Sequence, residues 1–439
     1  MIPTVALAMR AAFGPSPGAL LSCCLLFALW LPIGTAAANE VTDWNVIIEQ
    51  TAKASSVKPG VTFSGRNVSL MHLAMHDALN SISRRHDSYG VHRSSPDANP
   101  RAAVMAAGHG VAVRLYPDQA SSLDNLYSKM LLTIPDGPGK NEGLVLGDEV
   151  AAKIVALRAD DHFDYVIPGG EPFVSGNGPY GSGPGAWVPA PDSPHQNAVF
   201  SRASLVNPLA LKSPSQFRNL LPGPLNLSSG KYSRELEEVR TLGGKASTVR
   251  TPDQTTIAML WAETSLYRTF NEIARNLISA RNDDLWESNR TLALLNVAIA
   301  DSYVAVFDAK YHYQFWRPTM AIRGADTDGN EKTTSDPSWL PLLPTPPFPE
   351  YPSGHSAACG SAQIILESAF GRSTPFAATG TTWFPAGYSR NFSSFDDASR
   401  ECVEGRMLSG HHFRFSDEDA LYLGQHISRY VLRTTLAAR

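Results

Sequence analysis

Cysteine is scarce in this chain of 439 residues: there are four, and Cys23 and Cys24 fall within the first 38 positions. Beyond that point only Cys359 and Cys402 remain, and no Cys/His spacing reads as a zinc site. In an oxidising compartment these two cysteines could pair. Charge of one sign is lacking as well. The formal net charge of −4 provides no basic character for nucleic acid or anionic lipid. Strand signals are few, and there is no internal repeat. Charge is missing altogether between residues 11 and 38, just after Arg10.

That uncharged stretch has a weakly positive start, a short apolar run at 19–31 and small residues before Asn39. This is the plan of a cleavable signal peptide over residues 1–38. The apolar run is shorter than the ~20 residues of a membrane-spanning helix. The expectation is a secreted or periplasmic protein with no firm membrane association.

Apolar residues make up 43% of the chain, enough for a large core. They recur at helical spacing over 67–82, 101–116, 142–159 and 251–278. The last of these opens with Thr251 as a cap, Pro252 in the first turn and Asp253 near the positive helix end. Further helices are expected at 285–314, 353–370, 396–408 and 417–434. The reading is an all-α protein built from packed bundles. Two stretches, 164–201 and 221–232, are dense in Gly and Pro and cannot be helical for long. They read equally as plain connectors and as a wrap near a site entrance. The chain divides into an N-terminal helical region with long loops, 39–245, and a C-terminal helical core, 246–439.

Three segments of that core carry chemistry. In KYHYQFWRPTMAIR, Lys310 and Arg317 are two helical turns apart, which places both on one helix face. Pro318 disfavours helix at Arg317, so the guanidinium is expected near the helix end. Taken alone, the pair reads as a solvated face with snorkelling stems. In PFPEYPSGHSAACGSA, prolines keep the chain extended until Ser353, Gly354 and His355 open a helix. Free backbone N–H groups there make an oxyanion site, or else an ordinary capped helix start. Gly354 lets an anion approach the backbone, and His355 titrates near neutrality. In EGRMLSGHHFRFSDEDA, Arg406 ends a helix and is followed by His411 and His412. In isolation that histidine pair reads as structural. Together the segments supply about three fixed positive charges and backbone donors, suited to a tetrahedral or trigonal-bipyramidal oxyanion.

These three segments resemble the three-part signature shared by vanadium-dependent haloperoxidases and type 2 phosphatidic-acid-phosphatase-like (PAP2-like) acid phosphatases. The third part normally reads Ser-Arg, five residues, His. Here Arg406 and His412 keep that register, while Gly405 stands in place of the serine. Residues 185–218 and 67–82 are similar to segments of the larger, haloperoxidase-like members. The resemblance implies two packed four-helix-type bundles with long Gly/Pro-rich loops and an active site in the C-terminal half. It implies vanadate as cofactor, ligated by His412 and held by Lys310, Arg317, Ser353, the Gly354 N–H and Arg406, with phosphate able to compete. His355 is then the acid–base residue, and Lys310 polarises bound peroxide. The partners implied are hydrogen peroxide, a halide and possibly a small organic acceptor. Phe348 falls where fungal chloroperoxidases carry Phe and algal bromoperoxidases carry His. Phe307 falls where a fungal-type enzyme has Trp. Both lean toward an aromatic halide pocket, and Phe348 reads equally as core.

The activity expected is oxidation of bromide or chloride by hydrogen peroxide. The same cradle accepts phosphate, which makes the alternative a phosphomonoesterase with His412 as nucleophile through a phosphohistidine. A non-catalytic oxyanion-binding protein is a third reading. Two further features are weighed. His72 and His76, with Asp77, form an i, i+4 pair that could face a metal or simply pack. Asp301 and Asp308 could orient an arginine of the site.

Overall fold

Helix starts in this chain are set by capping side chains. Asn39, Asn99, Ser229, Thr251, Asp284, Ser353 and Ser394 each accept a hydrogen bond from a backbone N–H of the turn they open. Each such cap contributes about 1 kcal/mol. The computed structural model describes residues 39–56, 64–163, 181–194, 196–262, 266–380 and 388–439. The expected signal peptide lies outside them, as do residues 164–180 and 195 of the first Gly/Pro-rich stretch.

The elements run α1 (Glu40–Ala54), α2 (Gly65–Ile82), α3 (Pro100–Leu115), α4 (Ala120–Leu131), α5 (Pro138–Leu157), α6 (Gly230–Leu242), α7 (Pro252–Leu260), α8 (Leu266–Arg281), α9 (Leu285–Tyr313), α10 (Pro318–Arg323), α11 (Gly354–Phe370), α12 (Phe395–Leu408) and α13 (Arg414–Thr434). The all-α expectation holds. Among the described residues, one antiparallel hairpin, β1 (Phe376–Gly380) with β2 (Tyr388–Phe392), is the only sheet.

α9 organises the rest. Its 29 residues span roughly 43 Å, and it is long and apolar enough to cross a membrane. Its apolar window is nonetheless 100% buried inside the protein, as befits a helix apolar on every side at the centre of a packed fold. α1 and α2 pack on it from the first half of the chain, and α8, α11 and α13 from the second. A buried polar chain ties these helices together. Asn45 Nδ2 donates to His72 Nε2 and to Asn271 Oδ1, both at 2.8 Å. His72 Nδ1 meets Asn289 Oδ1 at 2.9 Å, and Asn271 and Asn296 pair at 2.8 Å.

That network answers the question raised by His72 and His76. Both imidazoles are engaged in hydrogen bonds, His76 with the Asp87 carbonyl at 3.0 Å, and burial pushes both pKa values down to about 4. Asp77 accepts from the N–H groups of Tyr89, Gly90 and Val91. No group of three metal-binding side chains exists among the described residues. The pair is structural.

Several boundaries differ from the sequence expectation, the helix expected over 142–159 among them, which runs from Pro138 to Leu157. The helix expected over 251–278 is two helices, with 263–265 outside the described residues. α7 ends at Leu260, and the carbonyl of Trp261 accepts from Arg406 Nη1 at 3.3 Å, so a distant side chain takes over an acceptor at the helix end. α13 begins at Arg414, ahead of the expected 417, and α6 begins at Gly230, inside the stretch read as loop.

α11 and α13 lie in close contact because small residues face each other. A Cβ on Gly424 would sit 2.0 Å from the Ala357 carbonyl oxygen, a distance no side chain tolerates without moving the helix. We expect Gly424→Ala to destabilise the protein by about 1–3 kcal/mol through this overlap. The midpoint of urea unfolding measures it, and an unchanged midpoint would show that the helices part freely.

Candidate functional site

Lys310 lies in the last turn of α9, which stops at Tyr313 because Gln314 adopts a left-handed conformation, φ 49° and ψ 41°. Arg317 therefore does not continue that helix face, contrary to the two-turn expectation. It is the extended N-cap of α10, φ −79° and ψ 155°, the conformation a following proline favours. A turn, and not helical periodicity, brings the two cations together. The solvated-face reading also fails: Lys310 and Arg317 are 0% exposed and Arg406 is 2% exposed.

Their donors are aimed with care. Lys310 Nζ donates to the carbonyls of Pro349 at 2.9 Å and Glu350 at 2.8 Å. An ammonium has three N–H groups, so one remains. Arg317 Nε donates to the Phe348 carbonyl at 2.9 Å, and its Nη1 reaches the His411 carbonyl at 2.9 Å and His412 Nε2 at 3.1 Å. Arg406, in the last turn of α12, donates through Nη2 to His411 Nδ1 at 2.7 Å. A guanidinium only donates, so His411 Nδ1 accepts, and its Nε2–H goes to the carbonyls of Leu343 and Pro344 at 3.2 and 3.0 Å. Both nitrogens of His411 are thereby used in holding Arg406. Two buried guanidinium nitrogens, Arg317 Nη2 and Arg406 Nε, have no acceptor among the described residues. Buried charged donors are rarely left so, and a bound oxyanion would satisfy both.

The electrostatics agree. Burial pulls the Lys310 pKa well down from the ordinary lysine value, and the neighbouring Arg317 charge pulls it further. Burial likewise lowers Arg317 and Arg406. Burial holds His412 neutral, with Arg317, Lys310 and Arg406 reinforcing it. Each shift records first the cost of burial, and for Lys310, Arg317 and His412 also neighbouring positive charge; an anion of two or three charges would offset both.

Ser353 caps α11 and accepts from the Ser356 N–H, and Gly354 and His355 occupy the first turn, where backbone N–H groups lack intrahelical partners. A Cβ on Gly354 would meet only Tyr303 and Val306, at 3.5–3.9 Å. His355 is half-buried and within electrostatic reach of His411. The structure thus brings Lys310, Arg317 and Arg406 to the two histidines 411 and 412, with the 353–355 turn beside them.

Sequence reasoning missed two acids. Glu350 accepts from His412 Nδ1 at 2.8 Å and from the Phe413 N–H at 3.1 Å, and burial raises its pKa against the pull of Arg317 and Lys310. Asp417 accepts from the Ser356 hydroxyl at 2.7 Å, and burial pushes it up to about 7 against bonds from Ser353 and Ser356. The Pro-Glu-Tyr-Pro run could have signalled Glu350, since an acid between prolines in an extended strand has few local partners. Asp301 and Asp308 do not touch the expected site arginines. Asp301 accepts from the N–H groups of Leu209, Ala210 and Leu211. Asp308 forks with Arg218 at 2.8 Å through both oxygens.

An aromatic wall stands against the cations. Phe307 and Phe348 meet edge-on with centroids 5.0 Å apart, and Phe200 meets Phe307 at 5.1 Å. Lys310 Nζ is 5.3 Å and Arg317 Cζ 4.9 Å from the Phe348 centroid. Phe200 comes from the Gly/Pro-rich stretch, at φ 61°, a backbone region rare for bulky residues. Its neighbour Val199 donates to the Pro347 carbonyl at 3.1 Å and accepts from the Tyr311 hydroxyl. This part of the stretch lies against the site.

Comparison with known proteins follows the same lines. Residues 290–438 match the family model of the VCPO second helical-bundle domain. A vanadium chloroperoxidase of Curvularia inaequalis is 25% identical over 399 residues, covering 74% of this chain. The chain spans 64% of the length of that relative. The crystal structure of a bacterial vanadium-dependent iodoperoxidase superposes with a TM-score of 0.75 at 23% identity, covering 91% of this chain and 97% of that one. The holo form of a bacterial vanadium-dependent chloroperoxidase gives 0.71 at 17% identity, covering 91% and 98%. The two structural likenesses are likenesses of fold.

Replacing Arg317 with Ala removes a buried cation and its donor to His412 Nε2. We expect the affinity for orthophosphate or orthovanadate to fall by about 3 kcal/mol, roughly a hundredfold. Equilibrium dialysis measures it, and an affinity within threefold of the wild type would place oxyanion binding elsewhere.

Proposed function

We propose that the chain is a member of the vanadium-dependent haloperoxidase family, resembled by PAP2-like phosphatases in its three-part signature, and that it oxidises bromide or chloride with hydrogen peroxide in a vanadate-dependent reaction. The observation that carries this reading is the pair of acceptor-less guanidinium nitrogens, Arg317 Nη2 and Arg406 Nε, buried beside a neutral histidine. A protonated imidazole could not ligate a metal, and this one is held neutral.

The residues present fit vanadate. Lys310, Arg317, Arg406, the Ser353 hydroxyl and the Gly354 N–H would hold its oxygens, and His412 would ligate the metal through Nε2. When bound, vanadate supplies Lewis acidity that activates peroxide toward halide without a change of its own oxidation state. The protein's contribution is preorganised positive charge, since its cations are fixed by carbonyls before anything binds. The one Lys310 N–H not given to a carbonyl would serve an oxyanion oxygen or the peroxide oxygen that takes its place. His355, at the first turn of α11, is the one half-buried imidazole among these groups and carries protons between solvent and the oxyanion. Phe200, Phe307 and Phe348 form a dry wall on which a polarisable halide can rest near the cations. The Cys359–Cys402 disulfide supports an oxidising, exported setting, in keeping with the signal peptide expected over 1–38.

One purified sample divided in two tests the reading. One half receives orthovanadate, hydrogen peroxide and bromide with a halogen-trapping dye, and the other a generic phosphate ester without vanadate. We expect vanadate-dependent halogenation that orthophosphate suppresses. Ester hydrolysis with no halogenation would establish the phosphatase reading instead. His355→Ala should slow turnover by about 10²–10⁴-fold while vanadate affinity changes little. Unchanged turnover would remove His355 from proton transfer.

A further inference from the structure

Glu350 stands at a junction in the site that its role as a neighbour of His412 does not exhaust. Its side chain is fully buried. One carboxylate oxygen, Oε1, faces both His412 Nδ1 at 2.8 Å and the Phe413 N–H at 3.1 Å. Its backbone carbonyl receives Lys310 Nζ at 2.8 Å, and its backbone N–H donates to the Phe315 carbonyl at 2.9 Å. On the far side of the imidazole, Arg317 Nη1 is 3.1 Å from Nε2.

The proton on His412 can be located from these contacts alone. A guanidinium cannot accept, so Nε2 must present its lone pair to Arg317. The neutral ring then carries its hydrogen on Nδ1, and Oε1 accepts it. This holds for either protonation state of Glu350, because the Phe413 N–H already requires Oε1 to be an acceptor. We propose that Glu350 is the positioning residue that anchors the His412 ring through its Nδ1–H and so aims the Nε2 lone pair into the oxyanion site. The inference rests on His412 being the ligand of the bound oxyanion. The physical logic is that of any metal-ligating histidine whose second nitrogen is anchored: the anchor sets tautomer and ring orientation, and its loss typically weakens metal affinity 10–100-fold.

The same residue links two functional groups. Lys310 and His412 come from α9 and from the turn before α13, and both are tied to Glu350, one through its main chain and one through its side chain. Displacing the side chain therefore acts on the histidine without removing the lysine's carbonyl acceptors, and the two roles separate by mutation.

Glu350→Gln and Glu350→Ala make the test. The amide oxygen of Gln can keep both bonds that Oε1 receives, and the Phe413 N–H selects that rotamer. Ala accepts neither. The first readout is long-range ¹H–¹⁵N correlation of the imidazoles in vanadate-free full-length protein, with His412→Ala identifying the His412 signals. The second is orthovanadate affinity by equilibrium dialysis. We expect the Nδ1–H tautomer in the wild type and in Glu350→Gln, with affinities within about threefold of each other. Glu350→Ala keeps the Arg317 donor on Nε2 but leaves Nδ1–H without its acceptor, and should bind orthovanadate roughly 10–100-fold more weakly, a loss that Glu350→Gln rescues. An Nε2–H tautomer in the wild type would overturn the inference, as would a folded Glu350→Ala that binds orthovanadate within threefold of the wild type. Should Glu350→Ala not fold, the wild type and Glu350→Gln still decide, since Glu350→Gln losing the tautomer while folded also contradicts it. A distinct result, unchanged orthovanadate affinity in His412→Ala, would sink the ligand reading beneath the inference and leave the tautomer finding standing.

Discussion

The structure depends on three cations being held out of water in one small volume. Lys310, Arg317 and Arg406 are buried with some of their hydrogens given to backbone carbonyls, while Arg317 Nη2 and Arg406 Nε have no acceptor among the described residues. Burial of a charge is tolerated only with pairing and hydrogen bonds, and here the pairing is incomplete. Two buried acids, Glu350 and Asp417, compensate in part, and burial raises the pKa of both. The remaining imbalance is what suits the place to the oxyanion we propose. A fully neutralised cluster would be more stable and would bind nothing.

The scaffold serves that imbalance. α9 delivers Lys310 at its C-terminal end, and the turn at Gln314 redirects the chain so that Arg317 faces back. Two carboxylates on the same helix hold the preceding loop: Asp301 collects three backbone N–H groups, and Asp308 grips Arg218. The neighbouring 196–201 segment brings Phe200 to the cations. The close approach of α11 to α13, possible because Gly424 has no side chain, brings Ser353 and the α11 N-terminus to the turn bearing His411 and His412. The same helices carry Asp417 to Ser356. The architecture is therefore a way of bringing three distant pieces of chain to one small volume.

Much of this was legible in the sequence because the chemistry needs residue types that little else explains. Two cations among aromatics, a Ser-Gly-His at a helix start and an Arg with a His six positions later named the cluster. The all-α fold and most helix positions followed from apolar spacing. What stayed hidden was whatever depends on partners far along the chain. Nothing local to Pro-Glu-Tyr-Pro tells that the Glu350 carboxylate reaches a histidine 62 positions away. Helical spacing continues past Trp261, but its carbonyl is taken by Arg406, 145 positions on. Gln314 in a left-handed conformation has no sequence signal of the kind a glycine would give. The sequence also favoured solvent for Lys310 and Arg317 taken alone, because burial of unpaired charge is rare and only the other two segments make sense of it.

The central claim is that one polyanion completes this cluster, and a crystal structure grown with orthovanadate tests it most directly. The account predicts a single oxyanion in contact with Arg317 Nη2 and Arg406 Nε, with the metal bonded to His412 Nε2. An oxyanion bound elsewhere, with those two nitrogens still lacking acceptors, would contradict it.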